Sequence, residues 1–268
     1  MDDVTAAAEA LRMASTAVAL TGAGISAPSG VPPFRGEEGI WNEYDPDAFH
    51  ARRVRRDPGG FWEDWLDLRA DLFDAEVAPN SAHHALADLS DAGRLDAVVT
   101  QNIDGLHQEA AGSVAGSDDI ESADLATDAG ADEVVELHGN GRRAVCRDCG
   151  RTVSAEKPRE RARAGELPPR CESCDGVLEP DAVLFGERLP ADALARAERL
   201  AEDSEAFLVA GSSLTVEPAA SLPTRAARGG ATLLVVDLKP TPVDSRADYV
   251  FRENVTDALP ALRDAVLE

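Results

Sequence analysis

The chain has 268 residues, 44% of them hydrophobic, which is enough for one large domain or for a core with a small satellite. Fifty acidic residues outnumber 26 basic ones, and the net charge of −24 argues against binding to nucleic acid or to an anionic membrane. No apolar run approaches the roughly eighteen residues of a membrane span, and the acidic first residues do not resemble a signal peptide, so we expect a cytoplasmic protein.

The charge has a second interpretation, which is adaptation to a very salty cytosol. Only two of the 26 bases are lysines, Lys157 and Lys239, and the acids are spread along the whole chain. Molar salt shortens the Debye length to about 3 Å, so dense like charge is tolerated there. We favour this halophilic interpretation, in which the charge reports on the solvent more than on a substrate.

In chain order, apolar periodicity predicts a helix over residues 3–14 and then a strand at 17–20 that enters a glycine turn. A second helix runs from an Asn80 cap to Gly93. Continuous apolar runs predict further strands at 97–100, 206–210, 232–236 and 249–251. Such runs, separated by helices, are typical of strands covered on both faces. The prediction is an α/β fold with a Rossmann-type open parallel sheet that binds its ligand at the carboxyl ends of the strands.

Two segments interrupt this pattern and predict a smaller domain. A Trp-rich helical insert lies within residues 37–75, and a cysteine-bearing segment covers 141–180. We expect them to form a zinc-ribbon plus helical domain, while residues 1–36, 76–140 and 181–268 form the large domain. The acidic stretch 113–132 has few large apolar groups and is predicted to be a mobile loop.

All four cysteines fall in one window, as C-x-x-C, twenty-one residues and C-x-x-C. In a cytosolic chain this spacing favours a tetrahedral Zn²⁺ site over disulfides, although two redox-active thiol pairs are the alternative. Four thiolates leave no open coordination position, so the predicted zinc is structural. The expected ligands are Cys146, Cys149, Cys171 and Cys174.

Residues 22–27 fit G-x-G-x-x-A directly after a predicted strand. Glycines there let the backbone approach a pyrophosphate, but a tight structural turn has the same signature. Pro28, Pro32 and Pro33 follow, so the long helix that usually succeeds this turn is not expected. A dehydrogenase would have a carboxylate about twenty residues further on, at the end of a second strand, and none is present. Asp237, at the end of a later strand, is the better candidate to bind a ribose diol.

Six ordered strings surround the cysteines: GAGISAPSGVPPFRG (22–36), QNIDGLH (101–107), ELHG (136–139), VLFGE (183–187), GSSL (211–214) and DALPAL (257–262). Together they resemble the sirtuin family of NAD-dependent deacylases, and the resemblance covers nearly the whole chain. The resemblance implies a protein-lysine deacetylase of archaeal or bacterial type that consumes NAD⁺ and yields nicotinamide, free lysine and O-acetyl-ADP-ribose.

The resemblance also implies site residues. His138 would be the general base that acts on the ribose hydroxyls, and its reference pKa near 6.5 suits that task. Asn102 and Asp104 would line the nicotinamide pocket, and Phe34 would shield the reactive sugar carbon. The remaining implied cofactor contacts are Gly22, Ala23, Gly24, Ile25, Arg35, Trp41, Gln101, Gly211, Ser212, Ser213, Asp237 and Val255.

An acyl-lysine protein is the implied substrate, added as an extended strand beside Val183, Phe185, Gly186, Leu214 and Val216. Relatives that remove succinyl groups carry Tyr-x-x-Arg in the small domain, and Trp65 and Leu68 occupy those places here. The acyl pocket is therefore expected to be apolar and to favour acetyl or a longer neutral chain. Trp65 and Leu68 at i, i+3 spacing are equally compatible with a plain helix core, and Arg69 lies one residue away.

Three departures from the family pattern stand out. Pro33 replaces an Asp or Thr, Asp237 replaces an Asn, and the 113–132 connection is longer than usual. Three other functions are compatible with parts of the pattern: a mono-ADP-ribosyltransferase on the same scaffold, a catalytically silent NAD-sensing module, and a Rossmann dehydrogenase. The set of His138, Asn102 and Asp104 argues against the silent module.

Overall fold

The computed structural model describes residues 3–34, 39–73, 77–112 and 134–268. Arg35 and the acidic stretch 113–132 lie outside these ranges, so the predictions made for them stay predictions. Among the described residues, no helix is both long and apolar enough to cross a membrane.

A parallel sheet of six strands forms the centre of the larger part, with spatial order β3-β2-β1-β7-β8-β9. All five predicted strands are present within one residue of their expected bounds. The strands are β1 (Ala17–Thr21), β2 (Ala97–Thr100), β3 (Val134–Glu136), β7 (Ala206–Ala210), β8 (Thr232–Val236) and β9 (Tyr249–Phe251). The predicted Rossmann-type α/β class is therefore confirmed.

Helices cover both faces of this sheet. Successive residues of a strand point to opposite faces, so an apolar strand has apolar side chains on both sides for helices to bury. On one face, Ala17 and Ala19 of β1 pack with three helices, α1 (Asp3–Met13), α5 (Ser81–Asp91) and α10 (Val255–Leu267). On the other face, Val18 and Leu20 pack with α8 (Ala191–Asp203) and α9 (Leu222–Gly229). Strands buried on both sides explain the continuous apolar runs in the sequence.

Helix α5 begins and ends as its sequence predicts. The Asn80 side chain accepts a hydrogen bond from the Ala82 amide, and the His83 ring accepts one from the Asn80 amide, which together form a capping box. Gly93 follows the helix with φ of +65°, a conformation that favours glycine.

A second, three-stranded antiparallel sheet contains the cysteines, in the order β5-β4-β6. Its strands are β4 (Gly139–Cys146), β5 (Thr152–Ser154) and β6 (Leu178–Ala182). The remaining helices are α2 (Ala23–Ser26), α3 (Ala51–Arg56), α4 (Pro58–Phe73), α6 (Leu106–Ala110) and α7 (Glu156–Arg163). Short 3₁₀ turns lie at Ala27–Ser29, Ile40–Asn42, Pro46–Phe49, Ala219–Ser221 and Asp244–Arg246.

The helical insert packs against the cysteine-bearing segment. The indole of the fully buried Trp62 on α4 donates a 2.8 Å hydrogen bond to the Leu178 carbonyl of β6. Ala162 of α7 lies in the same apolar cluster as α3 and α4. Strand β4 crosses the expected boundary between residues 140 and 141. The division into two domains with the stated limits stays a prediction.

Candidate active site at the carboxyl edge of the sheet

Two glycine turns meet where β1 and β7 end. The Gly24 amide donates a 2.8 Å hydrogen bond to the Gly211 carbonyl. A Cβ on Gly22 would lie 2.9 Å from the same oxygen, and one on Gly211, whose φ is +61°, would lie 2.3 Å from the Ile25 nitrogen. Any larger residue would push the two turns apart. The glycines therefore allow direct backbone contact between the two strand ends.

Only a four-residue helix, α2, follows the first turn, which agrees with the expectation that the usual long helix is missing. Ile25 is fully buried in the core beneath the sheet, so contact with a ligand is left to its backbone. Ala23 is half-buried and Gly24 is exposed. The backbone at these two residues is the part of the turn that is open to a ligand.

A buried polar cluster lies where β2 ends and centres on the Ser26 hydroxyl. Ser26 Oγ donates to Asp104 Oδ2 at 2.7 Å and accepts from Asn102 Nδ2 at 3.0 Å. His83 Nδ1 accepts the Asn80 amide, so its Nε2 carries the proton and faces Ser26 Oγ at 3.4 Å. Asn102 and Asp104, expected in the nicotinamide pocket, are thus neighbours that point at one hydroxyl.

Gln101 joins the β2 edge to the β7 edge. Its Nε2 donates to the Ser212 hydroxyl at 2.8 Å, although the two residues are far apart in sequence. Ser212 is buried and Ser213 is exposed, with its hydroxyl 3.0 Å from that of Thr215. The expected ribose and phosphate contacts Gln101, Ser212 and Ser213 are therefore adjacent.

His138 follows β3 and lies beside this cluster. Its Nδ1 is 3.0 Å from the Gln101 carbonyl oxygen. A carbonyl only accepts, so Nδ1 carries the proton, and the lone pair of the uncharged imidazole is on Nε2. The His138 carbonyl in turn accepts the Val183 amide at 2.9 Å. His138, the expected general base, and Val183, an expected substrate contact, are therefore joined by a backbone hydrogen bond.

An aromatic group adjoins the site. Trp41 lies with its ring centroid 6.0 Å from that of Phe34 and 5.1 Å from that of Phe185. All three rings are half-buried, while Gly186 is exposed. Phe34, the predicted shielding residue, and Phe185, an expected residue of the substrate groove, thus belong to one aromatic group.

Trp65 and Leu68 lie deeper, inside the apolar cluster of the helical insert. They are 5% and 2% exposed, and Trp65 is stacked on Phe61 with centroids 6.1 Å apart. The same cluster includes Ile103 and Phe185, which connects it to the site. Both residues therefore have a core role, and their role towards an acyl group stays a prediction.

The remaining expected contacts are spread along the β7 to α10 side. Asp237 is half-buried after β8, and burial raises the pKa of its carboxyl, whose Oδ1 accepts the Lys239 amide at 2.8 Å. Leu214 and Val255 are each 4% exposed and pack into the two cores, whereas Val216 is half-buried. Contact with a ligand at Leu214 and Val255 therefore falls mainly to the backbone.

Sequence reasoning missed four polar residues behind Asn102: Thr21, Ser26, Thr100 and His83, and it quoted His107 without assigning it a role. Burial lowers the pKa of His83 to about 3 and that of His107 to about 4, and the rings touch with centroids 4.9 Å apart. Both rings are neutral at pH 7. Their sequence signal is weak, because a threonine at a strand end or a histidine in a helix is common.

The four cysteine sulfurs converge as their spacing predicts. All lie within 4.8 Å of one another, with 3.4 Å between Cys146 and Cys174 and 3.9 Å between Cys149 and Cys171. Tetrahedral Zn²⁺ with Zn–S bonds of about 2.3 Å requires sulfur separations of about 3.8 Å. Backbone amides of Ser173 and Cys174 donate to Cys171 and lower the pKa of its thiol to about 7. The cluster fits one structural zinc ion.

Comparison with known proteins assigns this arrangement to a family. A sequence profile of the Sir2 family matches residues 22–123 and 118–218, which include both glycine turns, His138 and the four cysteines. The chain belongs to the Sir2 family. The Sir2 chain from Haloarcula marismortui, named NAD-dependent protein deacetylase, is 51% identical over 97% of this chain and 94% of its own length.

Solved Sir2 structures share the fold over the same extent. One holds a deacetylated p53 peptide and 3′-O-acetyl-ADP-ribose; it is 34% identical, with a TM-score of 0.79 over 96% of both chains. Another is bound to a myristoylated histone peptide; it is 35% identical, with a TM-score of 0.73 over 99% of this chain and 96% of the other. These Sir2 relatives therefore include both an acetyl product complex and a long-chain acyl complex.

Proposed function

We propose that this Sir2 chain is an NAD-dependent protein-lysine deacetylase that converts acetyl-lysine and NAD⁺ to lysine, nicotinamide and O-acetyl-ADP-ribose. The observation that carries the proposal is the position of His138, whose Nδ1 is bound by the Gln101 carbonyl next to Asn102 and Asp104. The deacetylase name of the 51% identical relative supports the same activity.

The cofactor side is assigned to the carboxyl edge of the sheet. We assign the pyrophosphate to the backbone at Gly22, Ala23, Gly24 and Gly211, where Ala23 is half-buried and Gly24 is exposed. Bound NAD⁺ supplies an ADP-ribosyl group with nicotinamide as its leaving group. Further contacts are assigned to Ser212, Ser213, Gln101, Asp237, Val255, Phe34, Arg35, Trp41 and the backbone of Ile25.

Asn102 and Asp104 hold the nicotinamide end in this proposal. Both are buried, and the Asp104 carboxylate receives the Ser26 hydroxyl and the Leu106 amide, at 2.7 and 2.9 Å. A carboxylate held this way has a fixed orientation, so a ligand amide meets a preorganised partner. Asp237 can accept from a ribose diol as an asparagine would, which makes its departure from the family pattern tolerable.

His138 acts as general base through Nε2. The Gln101 carbonyl fixes the proton on Nδ1, so the ring can take a proton from a ribose hydroxyl on its other nitrogen. The neutral ring becomes a cation during that step, and the carbonyl dipole next to Nδ1–H stabilises it. This arrangement holds the proton acceptor in place before the substrate arrives.

The substrate is an acylated lysine in an extended peptide segment. Val183 is joined to His138 by backbone hydrogen bonding, and Phe185 lies against Trp41. A strand added beside Val183, Phe185 and Gly186, facing Leu214 and Val216 across the groove, would bring its acyl-lysine towards His138. The deacetylated p53 peptide in one Sir2 relative supports a peptide in this role.

Acetyl is the proposed acyl group, with longer neutral chains as further substrates. Trp65 and Leu68 contribute only apolar surface to the cluster next to the site. The myristoylated histone peptide of one relative shows that a Sir2 fold accommodates a long apolar chain. A silent NAD sensor is not favoured, because the base and both pocket residues are in place. The deacetylase names of the relatives favour deacetylation over mono-ADP-ribosyl transfer.

A cytoplasmic location and adaptation to molar salt are part of the proposal. The supporting observations are the charge of −24, the presence of only two lysines and the Haloarcula marismortui relative. The same charge supports the absence of nucleic-acid and membrane partners. Activity and thermal stability that increase between 0.1 and several molar KCl would support the saline origin, and inactivation by salt would contradict it.

The test of the activity uses an acetyl-lysine peptide with and without NAD⁺, in high salt. Loss of acetyl groups only when NAD⁺ is present, with one nicotinamide released for each, supports the proposal. Deacetylation without NAD⁺, or none at all by protein whose folding is verified by circular dichroism, contradicts it. The Asn102→Ala and His84→Leu variants serve as a site variant and a surface control.

A further inference from the structure

Asn102 is held from two sides by different groups. Its side-chain nitrogen donates to Ser26 Oγ at 3.0 Å and to the Gly22 carbonyl at 3.1 Å. Its backbone amide donates to Thr100 Oγ1 at 3.1 Å. The amide is buried, so it needs this acceptor. The orientation of Asn102 therefore depends on where the Thr100 hydroxyl points.

A buried chain of hydrogen bonds orients that hydroxyl. Thr21 Oγ1, at the end of β1, donates to Thr100 Oγ1 at 2.9 Å, and His107 Nε2 lies 2.9 Å from Thr21 Oγ1. Because Thr21 uses its only proton on Thr100, it must accept from His107, so His107 carries its proton on Nε2. The chain thus runs from His107 on α6 through the ends of β1 and β2 to the Asn102 amide.

Water does not compete for the hydrogen bonds of Thr21, Thr100 and His107, because these residues are buried. Thr21, Thr100 and His107 are 0%, 2% and 4% exposed, respectively. The His107 ring also contacts the His83 ring. The Nε2 of His83 faces Ser26 Oγ, which binds the Asn102 side chain. Two neighbouring buried imidazoles therefore hold Asn102, one through its side chain and one through its backbone.

We propose that His107 is a positioning residue that acts through Thr21 and Thr100 to fix Asn102 and, with it, the nicotinamide end of the cofactor site. The inference rests on the proposed function, because it needs Asn102 to face nicotinamide. Replacing a matched hydrogen-bonded set by apolar groups of the same shape costs little stability, so shape alone does not require this chain. The hydrogen bonds from His107 through Thr21 and Thr100 instead fix the orientation of one buried amide, the backbone amide of Asn102.

The variants separate hydrogen bonding from shape. His107→Leu removes the donor, His107→Gln offers an amide donor at a similar reach, and Thr21→Val removes the middle link while keeping its shape. His84→Leu is the matched control, since His84 is the exposed neighbour of His83 on α5. Thr21→Val keeps the test valid if His107→Leu does not fold.

The measurement compares NAD⁺ with ADP-ribose, which lacks the nicotinamide end, by titration calorimetry on the full chain. His107→Leu and Thr21→Val are expected to weaken NAD⁺ binding about fivefold, the factor for one lost net hydrogen bond, and to leave ADP-ribose binding unchanged. His107→Gln is expected to restore NAD⁺ affinity, and the control binds both ligands like the unaltered chain.

Equal weakening of both ligands would make His107 a merely structural residue and overturn the inference, as would unchanged NAD⁺ affinity in both variants. Failure of the unaltered chain to bind either ligand would instead contradict the proposed function. The two failures are therefore distinguishable in one set of titrations.

Discussion

The Nδ1 atom of His138 lies 3.0 Å from the carbonyl oxygen of Gln101. This contact sets the tautomer of the ring, because a carbonyl oxygen accepts only from a protonated nitrogen. It also couples the base to the β2 edge, since Gln101 binds Ser212 with its side chain and His138 with its backbone. The orientation of the proposed base is therefore tied to the residues assigned to the cofactor.

We predict that His138→Ala lowers the deacetylation rate by about 10²–10⁴, the typical loss for a positioned general base. NAD⁺ binding should largely survive, because the ring is assigned to proton transfer and not to docking. Stopped assays and calorimetry on the same preparation measure the two quantities. Turnover equal to that of the unaltered chain would remove His138 from the mechanism.

The protein is predicted to contain one zinc ion per chain, measured by elemental analysis after dialysis. Cys146→Ser and Cys171→Ser replace buried ligands and should lose the metal, lower the melting temperature and reduce activity indirectly. Ser173→Ala, which alters a neighbouring residue that is not a ligand, is the control. A metal-free protein that is folded and active would refute the zinc assignment.

Acetyl-lysine should exceed succinyl-lysine in kcat/KM by about tenfold or more. A succinyl carboxylate would enter an apolar cluster without a cationic partner, at a cost of several kcal/mol. Leu68→Arg should shift the ratio towards succinyl, whereas Asp67→Arg, on the exposed side of α4, should not. A native preference for succinyl in a competition assay would make Arg69 the first residue to examine.

The His83–His107 pair predicts a pH dependence of stability. Burial lowers the pKa of His83 to about 3 and that of His107 to about 4, from the ordinary histidine value near 6.5. Below pH 6.5 the unfolded chain binds more protons at these two residues than the folded chain does. The contribution of the pair to the free energy of unfolding is therefore fully present above pH 6.5 and is lost as the pH falls.

Near pH 5, unfolding should take up about two protons at this pair, a slope of about 2.7 kcal/mol per pH unit. Denaturant titrations at pH 5 to 7 and fixed salt measure it. His107→Gln should reduce the uptake by about one proton. His84→Leu removes only the weakest of the groups that act on the pKa of His83, so it should change the uptake far less. A slope that is the same in both variants and in the unaltered chain would show that the pair is protonated in the folded state.

The sheet was predictable because its strands are unusually regular in sequence. The runs 206–210 and 233–236 are wholly apolar and end at Gly211 and Asp237, so their type and limits are clear. Strand β3 was missed because it has only three residues, Val134–Glu136, directly after the acidic stretch. A run this short carries no periodicity.

The polar interior was not predictable in the same way. Ser26 meets Asp104 across 78 residues, and Thr21 meets His107 across 86. Hydrogen bonds at such separations leave no local pattern. The motif strings located Asn102, Asp104 and His138, but only the three-dimensional arrangement shows which neighbours orient them.

Trp65 and Leu68 illustrate a third limit. Their i, i+3 spacing correctly places both on one face of α4, but spacing does not say what that face meets. The structure buries the face among Phe49 and Phe61, near Phe185. Sequence therefore identified the face, while the neighbours had to come from tertiary packing.

The most direct test of the central claim is mass spectrometry of the products formed from NAD⁺ and an acetyl-lysine peptide. We predict deacetylated peptide, nicotinamide and O-acetyl-ADP-ribose in equal amounts. The His138→Ala variant should form all three products more slowly, by the factor of about 10²–10⁴ expected for loss of the general base. A peptide that keeps its acetyl group and gains the mass of ADP-ribose would show transfer to protein instead. That result, or free acetate formed without consumption of NAD⁺, would contradict the account.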